Sequence, residues 1–124
     1  MYVAGKEHPH REPARRLLAK IQRGQIEGFT SVEVLQEILY RYTALQKRDL
    51  ARAVYDTFVQ ICPIVLGVTL AETDLALNLL GEVDGVSARD AIHAAVMIKN
   101  DLEWIASFDK GFDGVPGVRR LELK

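Results

Sequence analysis

The sequence predicts an α/β fold with a mostly parallel sheet, contained in a single domain. Segments with helical periodicity alternate with short apolar segments, which is the order that crossover connections between parallel strands require. The length of 124 residues fits one domain. Hydrophobic residues make up 48% of the chain and charged residues 27%, so the chain can bury a core and does not have the composition of a disordered protein.

The first predicted element is a helix after a charged, proline-containing turn. Met1 to Gly5 is apolar but has no pattern of its own that assigns it to an element. The stretch from Lys6 to Pro13 resembles a turn, and Pro13 suits a first helical position. The apolar residues from Ala14 to Ile21 then follow the spacing i, i+3, i+4, i+7 of a helix. Gly24 is suited to end it.

Two further amphipathic helices are predicted before the middle of the chain. Thr30 and Glu33 have the spacing of a capping box, so the second helix is expected to begin there and to carry one apolar stripe. The third helix is expected from about Asp49 to Ile61. Pro63 ends it, because proline cannot continue a helix.

The second half of the chain alternates strands and helices more regularly. Strands are predicted at Ile64–Leu66 and Trp104–Ala106, both short and apolar, and an edge strand is predicted at Val118–Leu123, where apolar and charged residues alternate. Between these strands lie two helices and a glycine-rich loop, in this order: a helix from Thr69 and Glu72 to Gly81, a helix from Ser87 and Asp90 through Ile98, and the loop Phe108–Gly117.

The composition excludes several classes of protein. A formal net charge of −1 argues against a broadly basic surface that grips nucleic acid by charge alone, although it leaves room for a local basic patch. Cys62 is the single cysteine, so an internal disulfide and a cysteine-based zinc site are excluded. Cys62 is expected to be buried and to fill space in the core. A single cysteine also favours a reducing, cytoplasmic location for the protein. No apolar run reaches the roughly 20 residues that span a bilayer, so no membrane partner is expected.

Three acidic residues stand out by their places on the predicted elements. Glu37 lies at the edge of the second helix's apolar stripe, Asp90 lies in the first turn of a helix, and Asp109 directly follows a strand. Ligands of parallel α/β sheets bind at that carboxyl end. Clustered carboxylates need a cation to offset their repulsion, and oxygen ligands suit Mg²⁺ or Mn²⁺. Taken singly, however, the three are explained by a solvated helix residue, a favourable charge at a helix N-terminus and turn chemistry.

The remaining polar candidates also have ordinary explanations. His8 and His10 could start a metal site, but the third histidine, His93, lies far along the chain, so an exposed segment is favoured. Asp113 is expected to serve a turn rather than to act as a peripheral acid near a metal. Three arginines could touch phosphate but are expected on solvated charged faces: Arg15, Arg16 and Arg89.

Four segments resemble, in their order and spacing, the motifs of the PIN-domain family. Thr30–Tyr40 resembles the helix that carries the family's second acid, and Ser87–Ala95 resembles its third-acid motif. Ile105–Phe112 resembles the fourth motif, in which a strand ends in Ser or Thr and Asp before a phenylalanine. Val115–Val118 matches the loop into the last strand. The resemblance is to the toxin ribonucleases of VapBC-type toxin–antitoxin pairs.

This resemblance implies a fold, an activity and a set of partners. The fold would be a three-layer α/β/α PIN-like domain with a mostly parallel sheet, covering residues 1–124. The activity would be that of a toxin endoribonuclease dependent on Mg²⁺ or Mn²⁺, with the metal held by Glu37, Asp90 and Asp109 and with Ser107 beside it. RNA bound in a local groove, a cognate antitoxin protein and a second copy of the chain in a homodimer would be its partners. His93 fits the family pattern Asp-Ala-x-His and is expected to pack near the site rather than to bind metal.

One motif of the family is not found in this sequence. The family begins with an apolar strand that ends in Asp, usually followed by Thr or Ser and Asn, whereas Met1 to Gly5 resembles the segment that follows it. The domain is therefore expected to lack the first strand. We favour a natural protein that begins further upstream over a sheet closed by a second copy or by Met1 to Ala4. The missing Asp also leaves open an alternative function, a catalytically inactive PIN-like module that binds a protein partner.

Overall fold

Five strands, five α-helices and one short 3₁₀ helix make up the part of the chain that the computed structural model describes, which is residues 2–5, 14–107 and 110–122. In chain order they are β1 (Tyr2–Gly5), α1 (Ala14–Gln22), β2 (Ile26–Ser31), α2 (Val32–Ala44), α3 (Arg48–Ile61), β3 (Ile64–Leu66), α4 (Leu70–Glu82), α5 (Ala88–Lys99), β4 (Trp104–Ser107), the 3₁₀ helix (Lys110–Gly114) and β5 (Arg119–Glu122). None of these described helices has the length and apolar character that crossing a membrane requires.

The strands form one sheet in the order β3-β2-β1-β4-β5. The β2–β3 and β4–β5 pairs are parallel, whereas β1 is antiparallel to both β2 and β4. Four of the five described strands therefore run in one direction, and β1 runs against them. The predicted mostly parallel sheet is confirmed, and β5 lies at the edge, as its alternating pattern predicted.

The central strand β1 comes from a segment that its own pattern did not assign. Tyr2 pairs with Phe29 of β2 on one side and with Ile105 of β4 on the other. Tyr2–Gly5 thus closes the sheet in nearly the way considered above for Met1 to Ala4. The expectation that the natural protein begins further upstream stays a prediction.

The strand β2 was not predicted, and the expected N-cap of the second helix lies one residue too early. Thr30 is buried inside β2, and the helix begins at Val32 with Ser31 as its N-cap. The Oγ of Ser31 accepts a hydrogen bond from the backbone N–H of Val34 at 3.3 Å. Because a strand that runs directly into a helix ends in the same residue types that cap helices, the two signals overlapped here.

Each face of the sheet carries its own hydrophobic core. The residues of the first core come mainly from α4, α5, β1, β4 and the segment around Phe112, and those of the second come from α1, β2 and β5. Along β4, Ile105 belongs to the first core, whereas Trp104 and Ala106 pack against the second, as the alternation of side chains along a strand requires. Helices therefore cover both faces, which makes the fold a three-layer α/β/α arrangement.

The helix α5 is largely buried against the sheet. Its run of Ala91, Ala94, Ala95, Val96 and Met97 is fully buried. Small alanine side chains let α5 approach its neighbours closely, and α4 packs against it. The position of α5 is consequently fixed, and so are the polar residues that it carries.

The other predicted helix boundaries agree closely with the structure. The Oγ of Ser87 accepts a hydrogen bond from the backbone N–H of Asp90 at 3.1 Å, so Ser87 caps α5, as predicted. The start of α4 differs in detail, because the Thr69 hydroxyl donates to the Glu72 carboxylate at 2.6 Å and does not cap a backbone N–H. The predicted glycine-rich loop contains the 3₁₀ helix. Cys62 is buried, as expected, and burial raises the pKa of its thiol.

Candidate active site

Glu37 lies in a groove beside the middle of α2. Ser31 caps the start of α2, so the position of Glu37 follows from where β2 ends. The groove has a volume of about 620 Å³. Its lining combines acidic, basic and apolar side chains: Glu33, Gln36, Glu37, Tyr40, Arg41, Ala44, Leu45 and Arg89.

One oxygen of the Glu37 carboxylate makes two contacts with α5. Oε1 lies 2.8 Å from Nε2 of His93 and 3.6 Å from Nε of Arg89. The Glu37 side chain is 30% exposed, whereas that of His93 is 7% exposed and that of Arg89 is 65% exposed. The buried contact with His93 is therefore the more restrained of the two, and Oε2 takes part in neither.

Asp90 lies in the first turn of α5 and is buried, with 7% of its surface exposed. Arg89 precedes it directly, and His93 follows it by three residues, which places His93 on the same face of the helix. Since Glu37 contacts both of these neighbours, the structure brings Glu37 to the beginning of α5, where Asp90 lies. Two of the three predicted acidic residues thus come from different elements to one region.

The third predicted acid, Asp109, lies outside the described residues. Ser107 is the last residue of β4, and its backbone pairs with that of Glu122. The Ser107 side chain lies outside the described part of the structure. Within the described ranges, no three side chains of His, Cys, Asp or Glu form a group that could hold a metal ion. The convergence of Glu37, Asp90 and Asp109 accordingly stays a prediction.

Behind Glu37, a chain of buried polar groups continues from His93. Nδ1 of His93 lies 2.8 Å from the hydroxyl of Tyr2, and that hydroxyl lies 3.1 Å from Oγ of Ser31. Tyr2 and Ser31 are fully buried, and 5% of the surface of His93 is exposed. Burial raises the pKa of the Tyr2 hydroxyl well above its ordinary value; the hydrogen bond with Ser31 partly opposes this, and the charges of Glu37 and Glu33 add to it.

Sequence reasoning missed most of this hydrogen-bonded chain. It expected His93 to pack near the site, and the structure adds the bond from its ring to Glu37. The spacing between Asp90 and His93 could have indicated that both face the same way. Nothing in the local pattern around Tyr2 or Ser31 pointed to the site, because their contacts join segments that are distant in the sequence.

Among the peripheral candidates, Asp113 has a partner of its own. Asp113 accepts two hydrogen bonds from the guanidinium of Arg120, at 2.9 Å and 3.3 Å, across the 3₁₀ helix and β5. This ion pair accounts for Asp113 without a metal. His8 and His10 lie outside the described residues, and Arg16 lies on an exposed face of α1.

Comparison with known proteins gives consistent relationships. The model of the PIN domain family matches residues 1–118. VapC ribonuclease Mb1869c of Mycobacterium bovis and ribonuclease VapC13 of Mycobacterium tuberculosis are each 39% identical to this chain over 121 residues, covering 98% of the chain and 92% of the relative. Ribonuclease VapC23 of Mycobacterium tuberculosis is 30% identical over 109 residues, covering 88% and 86%. No solved structure is significantly similar to the chain.

Proposed function

This chain belongs to the PIN-domain family, and we propose that it is a Mg²⁺- or Mn²⁺-dependent endoribonuclease, the toxin of a VapBC-type toxin–antitoxin pair. The relatives that match nearly its whole length are named as VapC ribonucleases. The observation that carries the proposal is the meeting of Glu37 from α2 with the start of α5, where Asp90 is buried.

The chemistry of these two residues fits a hard divalent cation. Carboxylate oxygens are the ligands that Mg²⁺ and Mn²⁺ prefer. Oε1 of Glu37 faces His93 and Arg89, so Oε2 is the oxygen available to a cation. Asp90 is the second carboxylate that this region offers, and it is buried in the first turn of α5.

In the proposed reaction, Glu37, Asp90 and Asp109 would hold the metal, with Ser107 beside it. When bound there, such a cation would supply the activation of water and the stabilisation of negative charge on the phosphate that phosphodiester cleavage needs. Arg41 and Arg89 line the same groove and provide the local positive charge that an RNA backbone needs on a chain of net charge −1.

Protein partners are proposed on the evidence of exposed apolar surface. We propose that a cognate antitoxin binds over the groove and that two copies of the chain form a homodimer. We also propose that the protein is located in the cytoplasm. Large apolar side chains are exposed on three helices: Leu39 and Tyr40 on α2, Leu50 on α3, and Leu70 and Leu77 on α4. Exposed apolar side chains of this kind mark a protein interface where they form one contiguous patch.

The experiment combines metal binding with RNA cleavage. Mn²⁺ should stabilise the folded chain, by about 2.7 kcal/mol when its free concentration is a hundred times its Kd, and the chain should cut RNA only when metal is present. The variants Asp90→Asn and Glu37→Gln should each lose most of both effects. Asp74→Asn is the matched control, because Asp74 is exposed on α4, away from the groove.

The measurements are thermal unfolding with and without Mn²⁺ and cleavage of a labelled RNA pool. Circular dichroism of each variant checks that it is folded, which matters most for the buried Asp90. A folded wild-type chain that neither gains stability from Mn²⁺ nor cuts RNA would contradict the proposal and favour the inactive binding module.

A further inference from the structure

We infer that His93 is a positioning residue that fixes the carboxylate of Glu37 through an Nε2–H hydrogen bond, and that Tyr2 and Ser31 hold its ring from behind. The inference rests on the proposed function in one respect: Glu37 is taken as a metal ligand. The hydrogen-bonded chain itself is independent of that role, since it is defined by the distances of 2.8 Å, 2.8 Å and 3.1 Å between successive polar atoms.

Both nitrogens of the His93 ring are occupied by side chains from other elements. Nε2 faces Glu37 of α2, and Nδ1 faces Tyr2 of β1. A buried imidazole held at both nitrogens cannot rotate without leaving polar groups unpaired, and such unpaired groups are costly inside a protein. The direction of the Nε2–H group is therefore fixed by the central strand of the sheet.

Counting the protons identifies the donor. The Tyr2 hydroxyl donates to Oγ of Ser31, so its oxygen accepts from Nδ1–H of His93. Nε2 of His93 faces the Glu37 carboxylate, which only accepts hydrogen bonds, so Nε2–H donates to Glu37.

Aromatic contacts restrain the His93 ring further. The Tyr2 ring meets it edge-on, with centroids 6.1 Å apart, and the Phe112 ring is tilted against it at 6.5 Å. His93 also shares α5 with Asp90, and the backbone of that helix is fixed by its buried alanines. Because Asp90 and His93 share α5, the bond from His93 sets the position of the Glu37 carboxylate relative to Asp90.

Such support prepares the site for a cation. A glutamate held in one orientation does not have to be ordered when the ligand binds, and partners behind a metal ligand typically change metal affinity by about 10–100-fold when they are removed. The expected loss is therefore in Mn²⁺ affinity, with the fold retained.

The test uses two amide substitutions, each of which places an amide group near one of the two ring nitrogens of His93. In His93→Gln the amide N–H₂ can reach the position of Nε2 and still donate to Glu37, whereas in His93→Asn the amide lies near Nδ1 and leaves Glu37 without its donor. Titration of the folded proteins with Mn²⁺ should give a Kd raised by about 10–100-fold for His93→Asn, and largely restored for His93→Gln. Tyr2→Phe should raise the Kd to a smaller extent, and Tyr55→Phe on α3 is the matched control without effect.

A second measurement needs neither metal nor RNA. The long-range ¹H–¹⁵N spectrum of the histidine side chains reports which ring nitrogen carries hydrogen, and His93→Gln assigns the signal among the three histidines. Hydrogen on Nε2 supports the inference, and a neutral ring with hydrogen only on Nδ1 overturns it. An unchanged Kd in folded His93→Asn also overturns it. A wild-type chain that binds no Mn²⁺ would contradict the proposed metal-binding function. The spectrum alone would then test whether Nε2 of His93 donates to Glu37.

Discussion

At the scale of single residues, the site depends on polar side chains that are buried yet fully partnered. The hydroxyl of Tyr2 contacts both His93 and Ser31, and all three residues are buried. Inside a protein such a network is stabilising only when every member is satisfied. The raised pKa of Tyr2 means that the hydroxyl keeps its proton and remains a neutral hydrogen-bonding group beside the negative charge of Glu37.

This raised pKa makes the stability of the chain depend on pH in the alkaline range. In the unfolded chain, Tyr2 loses its proton near its ordinary pKa of 10.0, whereas in the fold burial keeps the proton bound at higher pH. The unfolded state then binds fewer protons than the folded state, so the free energy of unfolding falls as pH rises above 10.0. Urea unfolding below and above that pH should show a steeper fall for wild type than for Tyr2→Phe. Equal slopes for the two proteins would contradict the buried hydroxyl.

The acidic residues of the site were available from the sequence, but their supports were not. Glu37 and Asp90 were identified because their motifs keep the order and spacing of a known family. The bond from His93 to Glu37, by contrast, links α5 to α2, and the bond from Tyr2 to His93 links β1 to α5. Contacts between distant segments depend on the packing of whole elements, so a local pattern in the sequence does not contain them.

At the scale of elements, the helices followed from the sequence and two strands did not. Helices α3, α4 and α5 start and end within a few residues of the predicted positions, because capping residues and the 3.6-residue period are local signals. Strand β1 has four residues and β2 has six, including Gly28. Neither has the continuous aliphatic run that predicted β3, so their pairing across the sheet, and no local pattern, makes them strands.

Gly28 shows how tightly β2 is packed. A Cβ at this position would lie 3.0 Å from Sγ of Cys62 and 3.2 Å from two carbons of Ile21. Because Cys62 is fully buried, we expect Gly28→Ala to lower the free energy of unfolding by about 1–3 kcal/mol. The measurement is urea unfolding at equilibrium.

The control is a glycine with open space around it. A Cβ at Gly81, inside α4, would meet no atom within 4 Å, and alanine is the better helix former by about 1 kcal/mol. Gly81→Ala should therefore stabilise the chain. If Gly28→Ala is as stable as wild type while Gly81→Ala is stabilised as expected, the result would contradict the close packing of β2 against Cys62.

At the scale of the whole molecule, β1 joins two halves of the sheet. Strands β3 and β2 lie on one side of it and β4 and β5 on the other, with β1 as the strand between them in the described structure. The class of fold could be predicted because the order of helices and strands along the chain determines it. The central position of β1 could not, since nothing local distinguishes a central strand of four residues from a short apolar terminus.

Amide hydrogen exchange tests this central position. The amides of Tyr2 and Val3 should exchange as slowly as those of β4, because these two residues pair with a strand on each side. The edge strand β3 is the internal comparison, and its amides should exchange faster. Exchange in β1 as fast as in β3 would mean that the two halves of the sheet are not held together through this segment.

The central place of β1 also sets the order in which the chain can fold during synthesis. β1 and β2 are close in sequence and can pair early, whereas Tyr2 pairs on its other side with Ile105, near the end of the chain. Forming that second pairing closes a very long loop, and contacts of large sequence separation slow folding. While the chain is being made, one side of β1 therefore stays without its partner until β4 has left the ribosome, and an uncovered strand edge can pair with another chain. The same strand that unites the finished sheet thus has one edge open to mispairing until β4 has been made.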